Sequence, residues 1–302
     1  MDYKKILKSR ALRLKILNCL SFIPDKTMVQ IQYRMKTGRK LNLKKPKRFT
    51  EKLQWYKLYY RNPKMPQCAD KYDVRQYVKD KGLEETLIKC LGVYERVEDI
   101  DWSSLPNSFV IKDTLGGGGS SVIIVKDKKK ANRKEVFHTL SGWLSEPANV
   151  RNGGREWVYY SGKKHRIIIE EFIDAESTPG GLIDYKFFCY DGVPKWIYVI
   201  ADRKLGTSAG LGIYDADFNR LKAQRNDEQP LKRKIDKPKN FNEMKNIATC
   251  LSNDFPHARI DLYNCNGKIL FGEITFFDGS GYMTFSPDSF DYEMGKGFKL
   301  KR

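Results

Sequence analysis

The order of apolar and polar positions along the chain predicts helices in its first third and strands over most of the remainder. Within residues 50–58 the apolar positions recur at helical spacing, with Thr50 as the candidate N-cap and Pro63 beyond the end. A second helix is predicted to start near Ala69 and to end at Gly82. Both segments precede the first predicted strand.

Short runs of β-branched and aromatic residues predict the strands. They lie at residues 109–112, 122–125, 167–173, 185–190, 196–200, 258–263 and 268–276, and a helix predicted over 242–251 interrupts them. The 302 residues are enough for one large domain or for two that pack closely together. We therefore expect an α+β fold.

Four glycines and two serines separate two of these strands in the stretch IKDTLGGGGSSVIIVKD. A hairpin needs only two turn residues, and each ordered glycine costs roughly 0.5–1 kcal/mol relative to alanine. Such a run is tolerable if the loop stays mobile or presents bare N–H groups to a ligand. A strand follows it, which excludes the P-loop and the dinucleotide fingerprint. The stretch predicts either a flap over nucleotide phosphates, entered by a strand that carries Lys112, or a flexible hairpin.

The stretch ARIDLYNCNGKILFGEITFF predicts a hairpin whose register decides its chemistry. Asn266-Gly267 is a strong turn signal between two alternating strands. A strict two-residue turn pairs Asp261 with Gly272, whereas a loop of three or five residues, for instance with a glycine bulge, places Asp261 opposite Glu273. Carboxylates so close are unfavourable unless a divalent cation such as Mg²⁺ lies between them. A metal site and an exposed polar face are the two alternatives.

Positive charge is concentrated near the N-terminus. Residues 1–60 contain 17 of the 56 Lys and Arg and 3 of the 37 Asp and Glu. In YKKILKSRALRLKILNCLSF apolar residues recur at helical spacing between basic ones, which is typical of a helix on an anionic membrane surface. A basic helix packed on its own domain would show the same pattern. Nucleic acid ranks lower as a partner for KKPKR at 44–48, because no recognised nucleic-acid-binding module is present.

Composition argues against several other classes of protein. No apolar run approaches the ~18–20 residues that span a bilayer, and no signal peptide is evident. The six cysteines are scattered without a CxxC pair, so we interpret them as reduced thiols of a cytoplasmic protein. The three histidines lack the HExxH spacing of a zinc hydrolase. We expect a cytoplasmic protein, peripheral at the inner face of the membrane if its basic segment binds lipid.

Several short motifs occur in the order seen in ATP-grasp ligases. They are Lys71 in ADKYDVRQYV, Lys112 before the glycine loop, EEFI closing a buried strand, and RID followed by FGEIT. With FTEKLQWYKLYYRNP, LPNSFVIK, DYKFFCYDGVPKWIYV and LSNDFP, the chain from about Phe49 to Leu300 resembles the TupA-like ATP-grasp family. That family is associated with teichuronopeptide and other surface-polysaccharide biosynthesis.

The resemblance implies an ATP-grasp fold, in which two α+β subdomains clasp ATP. Residues 1–60 would form a basic helical region and residues 61–302 the ATP-grasp domain. Its first subdomain, 61–165, would carry the glycine-rich flap. Its second, 166–302, would carry the adenine hinge and the metal hairpin. The usual N-terminal α/β domain has no room before Lys71, so substrate binding cannot be transferred by analogy.

The resemblance also implies roles for the nucleotide-binding residues. Lys71 and Lys112 would contact the ATP phosphates beneath a loop formed by Gly116, Gly117, Gly118, Gly119, Ser120 and Ser121. Adenine would meet the segment Glu170, Glu171, Phe172 and Ile173, through backbone groups of Glu171 and Ile173. Asp184 would bind ribose, and Lys186 could serve phosphate or substrate. The plainer alternatives are a surface lysine at Lys71, a strand end that reaches solvent at Glu170 and a solvated charge at Lys186.

Three further residues would hold the metal, and one would act on the reacting group. Asp261 and Glu273 would bind Mg²⁺, and Arg259 would stabilise charge on the transferring phosphoryl group or the acyl phosphate. A plain salt bridge from Arg259 to Asp261 is the alternative. Many ATP-grasp enzymes carry asparagine two residues after the metal glutamate. Thr275 stands there in this chain, so we expect a weaker second metal site.

The function that follows from the resemblance is an ATP- and Mg²⁺-dependent carboxylate–amine ligase acting on a cell-surface polysaccharide or its precursor. ATP would phosphorylate a carboxylate, such as a uronic or amino acid, and an amine would attack the acyl phosphate to give an amide. Positioning and electrostatics would do most of the catalysis, which agrees with the lack of a visible Ser, Cys or His triad. The alternatives are a glycan kinase, and a non-catalytic basic module that binds anionic glycan, membrane or nucleic acid.

Overall fold

The computed structural model describes residues 16–17, 19–117, 121–147, 153–175, 181–202 and 209–301. The helices before the first strand are α1 (Asp25–Thr37), α2 (Phe49–Tyr59), α3 (Lys64–Ala69) and α4 (Val74–Asp80). Those that follow are α5 (Arg133–Leu144), α6 (Phe241–Ser252) and α7 (Ser289–Gly297). None of the helices in these ranges is both long and apolar enough to cross a membrane.

A small antiparallel sheet forms the middle of the chain. Its strands are β1 (Cys90–Tyr94), β2 (Phe109–Asp113), β3 (Val122–Val125) and β4 (Ile167–Glu171), in the spatial order β1-β4-β2-β3. Phe109 and Ile111 of β2 alternate with less buried residues and pack with Ile169 of β4 and Leu140 of α5. One face of the sheet is therefore covered, and the glycine-rich loop leaves the sheet between β2 and β3.

A larger sheet holds the predicted hairpin. Its strands are β5 (Asp184–Tyr190), β6 (Val193–Ala201), β7 (Gly210–Asp215), β9 (Gln229–Pro230), β10 (His257–Cys265) and β11 (Lys268–Thr275), in the order β11-β10-β5-β6-β7-β9. β8 (Gln224–Arg225) pairs separately with β12 (Phe285–Ser286). Helix α6 packs against β5, β6 and β10, and α2 adds Phe49 and Tyr56 to the same core. The mixture of helices and largely antiparallel sheets, in which only β7 and β9 pair in parallel among the described strands, confirms the α+β class.

Two elements lie close to the subdomain boundaries expected from the sequence. Helix α2 precedes residue 60, yet it is buried in the core of the larger sheet. Strand β4 follows residue 165, yet it pairs with β1 and β2 in the smaller sheet. We propose two subdomains, each built around one sheet, and assign α2 and β4 by the residues they pack against.

Helix α2 begins two residues earlier than a Thr50 N-cap predicts, and its N-cap is not Thr50. Arg48 occupies the N-cap position, and the Glu51 carboxylate accepts from the backbone N–H of Arg48 at 3.2 Å. Thr50 lies inside the first turn, where its hydroxyl donates to Asp291 Oδ2 at 2.8 Å. The predicted threonine cap was wrong because this hydroxyl has a buried partner 241 residues away in sequence.

The second helix was predicted to start near Ala69, but α4 starts five residues later, at Val74, and α3, which was not predicted, ends at Ala69. Between them, Asp70 Oδ1 accepts from the backbone N–H groups of Tyr72 and Asp73 at 2.8 Å and 2.9 Å. Its other oxygen accepts from Arg166 at 2.9 Å. A carboxylate that binds free N–H groups at the start of a helix competes with continuation of the preceding helix. Lys71 therefore lies in a break between two helices.

The hairpin combines a two-residue turn with a bulge. Asn266 and Gly267 have φ values of 52° and 88°, as a type I′ turn requires. The register then shifts by one residue at Gly272, so that Asp261 lies opposite Glu273. A Cβ at Gly272 would lie 3.1 Å from the backbone oxygen of Asp261, so this bulge favours glycine. The turn is thus the short one, and the bulge alone sets the carboxylate pairing.

Candidate active site

Two carboxylates from neighbouring strands meet on one face of the larger sheet. Arg259 donates through Nη2 to Asp261 at 2.7 Å and to Glu273 at 2.8 Å. Its Nε donates to the other oxygen of Asp261 at 2.7 Å. Arg259 pairs across the ladder with Thr275, whose hydroxyl donates to Glu273 Oε1 at 2.9 Å. Since residues two apart on a strand share a face, all four side chains belong to one cluster.

The adjacent strand, β5, adds a lysine and a third carboxylate. Lys186 pairs with Asp261 across the β5–β10 ladder, and its ammonium contacts the Asp261 carboxylate. The same ammonium lies 2.7 Å from Asp184 Oδ2. Lys186 therefore bridges Asp184 and Asp261. Asp184 therefore lies in this charged cluster. Its contact with ribose stays a prediction.

Burial and neighbouring cations compete in setting the charges of the cluster. Burial raises the pKa of Asp261, and Arg259 and Lys186 oppose that rise. Burial would also raise the pKa of Glu273, but the neighbouring cations, Arg259 first, hold it well below its usual range. Glu273 therefore keeps its negative charge at neutral pH.

The carboxylate pair suits Mg²⁺ that arrives with nucleotide phosphates. In the part of the chain that the structure describes, no group of three or more His, Cys, Asp or Glu is arranged to hold a metal ion. Mg²⁺ at nucleotide sites usually takes one or two carboxylates and completes its octahedron with phosphate oxygens and water. Asp261 and Glu273 provide two such carboxylates, with the Thr275 hydroxyl beside them. The donor set therefore fits this cation.

Lys71 connects the glycine-rich loop to the carboxylate cluster. Its backbone N–H donates to Thr114 O at 2.9 Å, and its ammonium donates to the carbonyl of Gly116. Burial lowers the pKa of Lys71, Glu273 opposes this effect, and Lys112 adds to it. The ammonium therefore interacts electrostatically with Glu273 and with Lys112. This position fits a lysine that contacts phosphates.

Lys112 and the start of the predicted adenine hinge form a second ion-pair group. The Lys112 ammonium lies 2.6 Å from Glu170 Oε2, and Arg75 Nη1 lies 3.2 Å from Glu170 Oε1. Glu170 is only 7% exposed. It therefore orients Lys112 at the entry to the glycine-rich loop, and Arg75 is a partner that sequence reasoning missed.

The glycine-rich loop is anchored at both of its described ends. The backbone N–H of Gly116 donates to Asp113 O at 3.1 Å, and the N–H of Asp113 donates to Ser121 O at 3.1 Å. Gly117 is the last residue described before the gap. Gly118, Gly119 and Ser120, which were also predicted to cover phosphates, lie outside the described residues. The flap role of the loop stays a prediction.

The remaining hinge residues follow the end of β4. Glu171 is exposed, and its backbone N–H donates to Lys89 O at 2.9 Å. Phe172 and Ile173 are half-buried and lie beyond the strand. Because the Glu171 N–H is engaged by Lys89, an adenine contact there would use the Glu171 carbonyl. The adenine contacts remain predictions.

Sequence reasoning also missed Asp278, which completes the surroundings of Arg259. Asp278 is 2% exposed and accepts from Arg259 Nη1 and, at 3.2 Å, from Arg225 Nη1. Arg225 in turn donates to Asp227 at 2.7 Å and 3.0 Å. The Asp-Gly pair at 278–279, a few residues after Glu273, was a turn signal that could have indicated an acid near the cluster. Three carboxylates therefore hold the guanidinium of Arg259.

Comparison with known proteins shows a match to one family model and similarity to several solved structures. A family model described as TupA-like ATPgrasp matches residues 51–299. Among curated proteins, none matches the sequence.

Three solved structures are similar to this chain at low identity. D-alanine–D-alanine ligase from Bacillus anthracis is 18% identical, over 69% of this chain and 57% of that one, with a TM-score of 0.42. L-amino acid ligase from Bacillus licheniformis is 17% identical, over 77% of this chain and 49% of that one, with a TM-score of 0.46. The ADP complex of N5-carboxyaminoimidazole synthetase from Staphylococcus aureus is 12% identical, over 69% of this chain and 44% of that one, with a TM-score of 0.39. The chain spans about half the length of these structures.

Proposed function

The chain belongs to the TupA-like ATP-grasp family, and we propose that it is an ATP- and Mg²⁺-dependent ligase that joins a carboxylate to an amine. The observation that carries this proposal is the convergence of Asp261, Glu273 and Arg259 on one face of the larger sheet. Lys71 extends the convergence to the glycine-rich loop. Carboxylates for a phosphate-bound cation, next to cations for phosphate oxygens, are what phosphoryl transfer from ATP requires.

Each group has a role that its contacts support. Asp261, Glu273 and Thr275 would hold Mg²⁺, which neutralises phosphate charge when bound. Lys71 and Lys112 would bind phosphate oxygens. Arg259 would stabilise the charge that develops as the carboxylate of the substrate attacks the terminal phosphorus, because its guanidinium is held rigidly by carboxylates and needs no reorganisation.

The nucleotide base and sugar would lie towards the smaller sheet. We propose that Glu171 and Ile173 bind adenine through backbone groups, with Phe172 between them, and that Asp184 or Lys186 contacts the ribose or the phosphates. The half-buried position of Phe172 and Ile173 just beyond β4 supports the first assignment. The two substrates would react directly with each other, without a covalent enzyme intermediate.

We further propose that the carboxylate or the amine belongs to a surface polysaccharide or its precursor, and that the chain works at an anionic membrane surface. Residues 16–47 contain eight basic residues and one acidic residue. Helix α1 buries Met28, Val29 and Tyr33, but Ile31 and Met35, one turn apart, are 44% and 53% exposed. Apolar side chains among basic ones favour an interfacial position.

The experiment that tests the ligase proposal incubates the protein with ATP, Mg²⁺ and pairs of uronic acids, amino acids and amines. The expected products are ADP, phosphate and an amide, identified by mass spectrometry. ADP with a phosphoester would instead indicate a glycan kinase. Glu273→Gln is the matched control for contaminating ATPases. If wild type and this variant release ADP at the same rate with every pair, the chain is not the ligase proposed.

A further inference from the structure

Two residues of the turn that follows β11 make hydrogen bonds to different side chains. Asp278 binds the guanidinium of Arg259, as described above. Two residues later, the hydroxyl of Ser280 donates to Glu156 Oε1. A short turn, Asp278–Gly281, therefore connects the Arg259 cluster to a carboxylate that the ligase proposal does not yet use.

The backbone of this turn is held in a costly conformation. Gly279, Ser280 and Gly281 have φ values of 50°, 57° and 71°, and Ser280 is the member with a side chain. A non-glycine residue at positive φ persists only where surrounding contacts enforce it, and such residues are common at functional sites. A Cβ at Gly281 would lie 2.4 Å from Gln54 Nε2, so the turn packs directly on α2.

Two side chains of α2 fix both the turn and the segment that carries Glu156. Gln54 Nε2 donates to the carbonyls of Ser280 and Gly281 at 2.9 Å and 2.8 Å. The buried ammonium of Lys57 donates to Ser280 O at 2.8 Å and to Gly154 O at 2.9 Å. Because Gly154 lies two residues before Glu156, one ammonium positions both partners of the Ser280–Glu156 hydrogen bond. These contacts set the geometry of the Glu156 carboxylate.

Glu156 is half-buried, and the Asp278–Gly281 turn links it to the Arg259 cluster. Tyr159, three residues later, interacts electrostatically with Glu156, Glu273 and Arg259, and its pKa is raised by burial and by the two carboxylates. Burial raises the pKa of Glu156 as well, while Lys57 and Ser280 oppose that rise. A carboxylate that is partly open to solvent, is joined to the Arg259 cluster by a short turn and has a raised pKa can accept a proton.

A carboxylate–amine ligase needs such a group. The amine reaches the enzyme mostly as a cation, must be held near the acyl phosphate, and must lose its protons when it attacks. We propose that Glu156, positioned by Ser280, binds the primary amine of the acceptor and takes its proton during attack. This proposal rests on the ligase function proposed above.

The step balances in atoms and electrons. The amine nitrogen forms a bond to the acyl carbon, and the bond between that carbon and the phosphate oxygen breaks. Inorganic phosphate leaves with the electron pair of the broken bond. Two protons leave the nitrogen of a cationic amine: the first passes to water before the neutral amine attacks, and the second passes to the Glu156 carboxylate during attack and then to water.

The test separates formation of the acyl phosphate from its reaction with the amine. Hydroxylamine, a small nucleophile that is largely neutral at pH 7, traps acyl phosphates as hydroxamates and reports the first half-reaction alone. Wild type, Glu156→Gln, Glu156→Asp and Ser280→Ala are compared, each with ATP, Mg²⁺ and a panel of uronic and amino acids. Amide formation is measured in parallel with amino acids and diamines as acceptors.

We expect Glu156→Gln to form hydroxamate within about twofold of wild type and amide about 10²–10⁴-fold more slowly, which is the usual contribution of a general base. Ser280→Ala should lie between the two, and Glu156→Asp should recover part of the rate because it keeps the charge. Glu293→Gln on α7, an exposed carboxylate paired with Lys296, is the matched control and should change neither product.

Two results would overturn the assignment of Glu156. One is unchanged amide formation in Glu156→Gln. The other is an equal loss of hydroxamate and amide in both Glu156→Gln and Glu156→Asp, which would mean that the carboxylate supports the fold or the ATP half-reaction. If wild type forms no hydroxamate with any carboxylate, the ligase proposal itself fails, and the role of Glu156 fails with it.

Discussion

Asp261 lies opposite Glu273 because a single bulge at Gly272 shifts the β10–β11 register by one residue. Without that shift the two-residue turn at Asn266-Gly267 would pair Asp261 with Gly272 and place Glu273 on the other face of the sheet. The bulge therefore brings the two carboxylates to one guanidinium, that of Arg259.

Removing the charge of either carboxylate should abolish ATP turnover without unfolding the protein. Asp261→Asn and Glu273→Gln keep the size of the side chain but remove a metal ligand and a partner of Arg259. We expect Mg²⁺-dependent ADP release to fall about 10²–10³-fold in each, as for other single groups that stabilise developing charge. Circular dichroism should show unchanged secondary structure. Wild-type turnover in both variants would contradict the metal assignment.

Substitutions of Thr275 should change the Mg²⁺ dependence of ATP turnover in both directions. The hydroxyl of Thr275 donates to Glu273, and an asparagine there would add an amide oxygen as a ligand. We expect Thr275→Asn to lower the Mg²⁺ concentration for half-maximal ATP turnover, and Thr275→Val to raise it, each by a factor of about 3–10. A Mg²⁺ titration of the ADP release rate measures this. Identical titration curves for all three proteins would exclude Thr275 from the site.

The glycine-rich loop should become ordered when nucleotide binds. Its glycines have no side chains to pack, so phosphate oxygens would be the main partners of its N–H groups. Amide hydrogen exchange across residues 114–121 is measured with and without Mg²⁺ and a non-hydrolysable ATP analogue. We expect slower exchange on binding there and at 170–173. Unchanged exchange at both segments with saturating nucleotide would support a plain hairpin.

The exposed apolar residues of the N-terminal region should contribute to binding of anionic vesicles. Phe22, Ile31 and Met35 are 76%, 44% and 53% exposed, among basic residues worth about 1 kcal/mol each near such a surface. We expect the triple variant Phe22→Ser, Ile31→Ser and Met35→Ser to weaken binding about tenfold or more in vesicle sedimentation. Vesicles with phosphatidylserine are compared with phosphatidylcholine alone.

The matched control for this experiment is Val193→Ser. Val193 is 48% exposed at the start of β6, outside the basic region, and its replacement should leave vesicle binding unchanged. Deleting residues 1–20 should also weaken binding at low salt. Equal sedimentation of wild type, triple variant and control would contradict a membrane role for this surface.

The ion pair at the base of the glycine-rich loop should make stability depend on pH. His165 Nδ1 lies 2.9 Å from both carboxylate oxygens of Asp113, the last residue of β2. Burial alone would lower the pKa of His165, but Asp113, with a smaller effect from Glu146, raises it. Since the folded pKa is raised, the stabilisation is full below about pH 6.5, the unfolded value, and is lost as pH rises through the folded pKa.

The variant His165→Gln measures this contribution. The free energy of unfolding of wild type should exceed that of the variant most at about pH 5.5 and least at about pH 9. Denaturant titrations at a series of pH values give the difference. A difference that stays constant over this range would show that the histidine contributes by packing and not by its charge.

Elements whose signals are local could be predicted from the sequence alone. The strand predicted at 122–125 is observed as β3, Val122–Val125, because β-branched residues bounded by polar ones favour a strand wherever the chain folds. The turn at Asn266-Gly267 is also local, since both residues tolerate positive φ. The order of the family motifs, likewise present in the sequence, identified the family that the match to residues 51–299 shows.

Tertiary structure decided what depends on partners distant in sequence. The bulge at Gly272 depends on a backbone that approaches Asp261 from another strand. The second predicted helix starts later than expected because Asp70 accepts from N–H groups in a way that periodicity does not reveal. Ser280 meets Glu156 across 124 residues of sequence. Helical and strand periodicities describe one face of one element, so they cannot specify which distant side chains packing brings together.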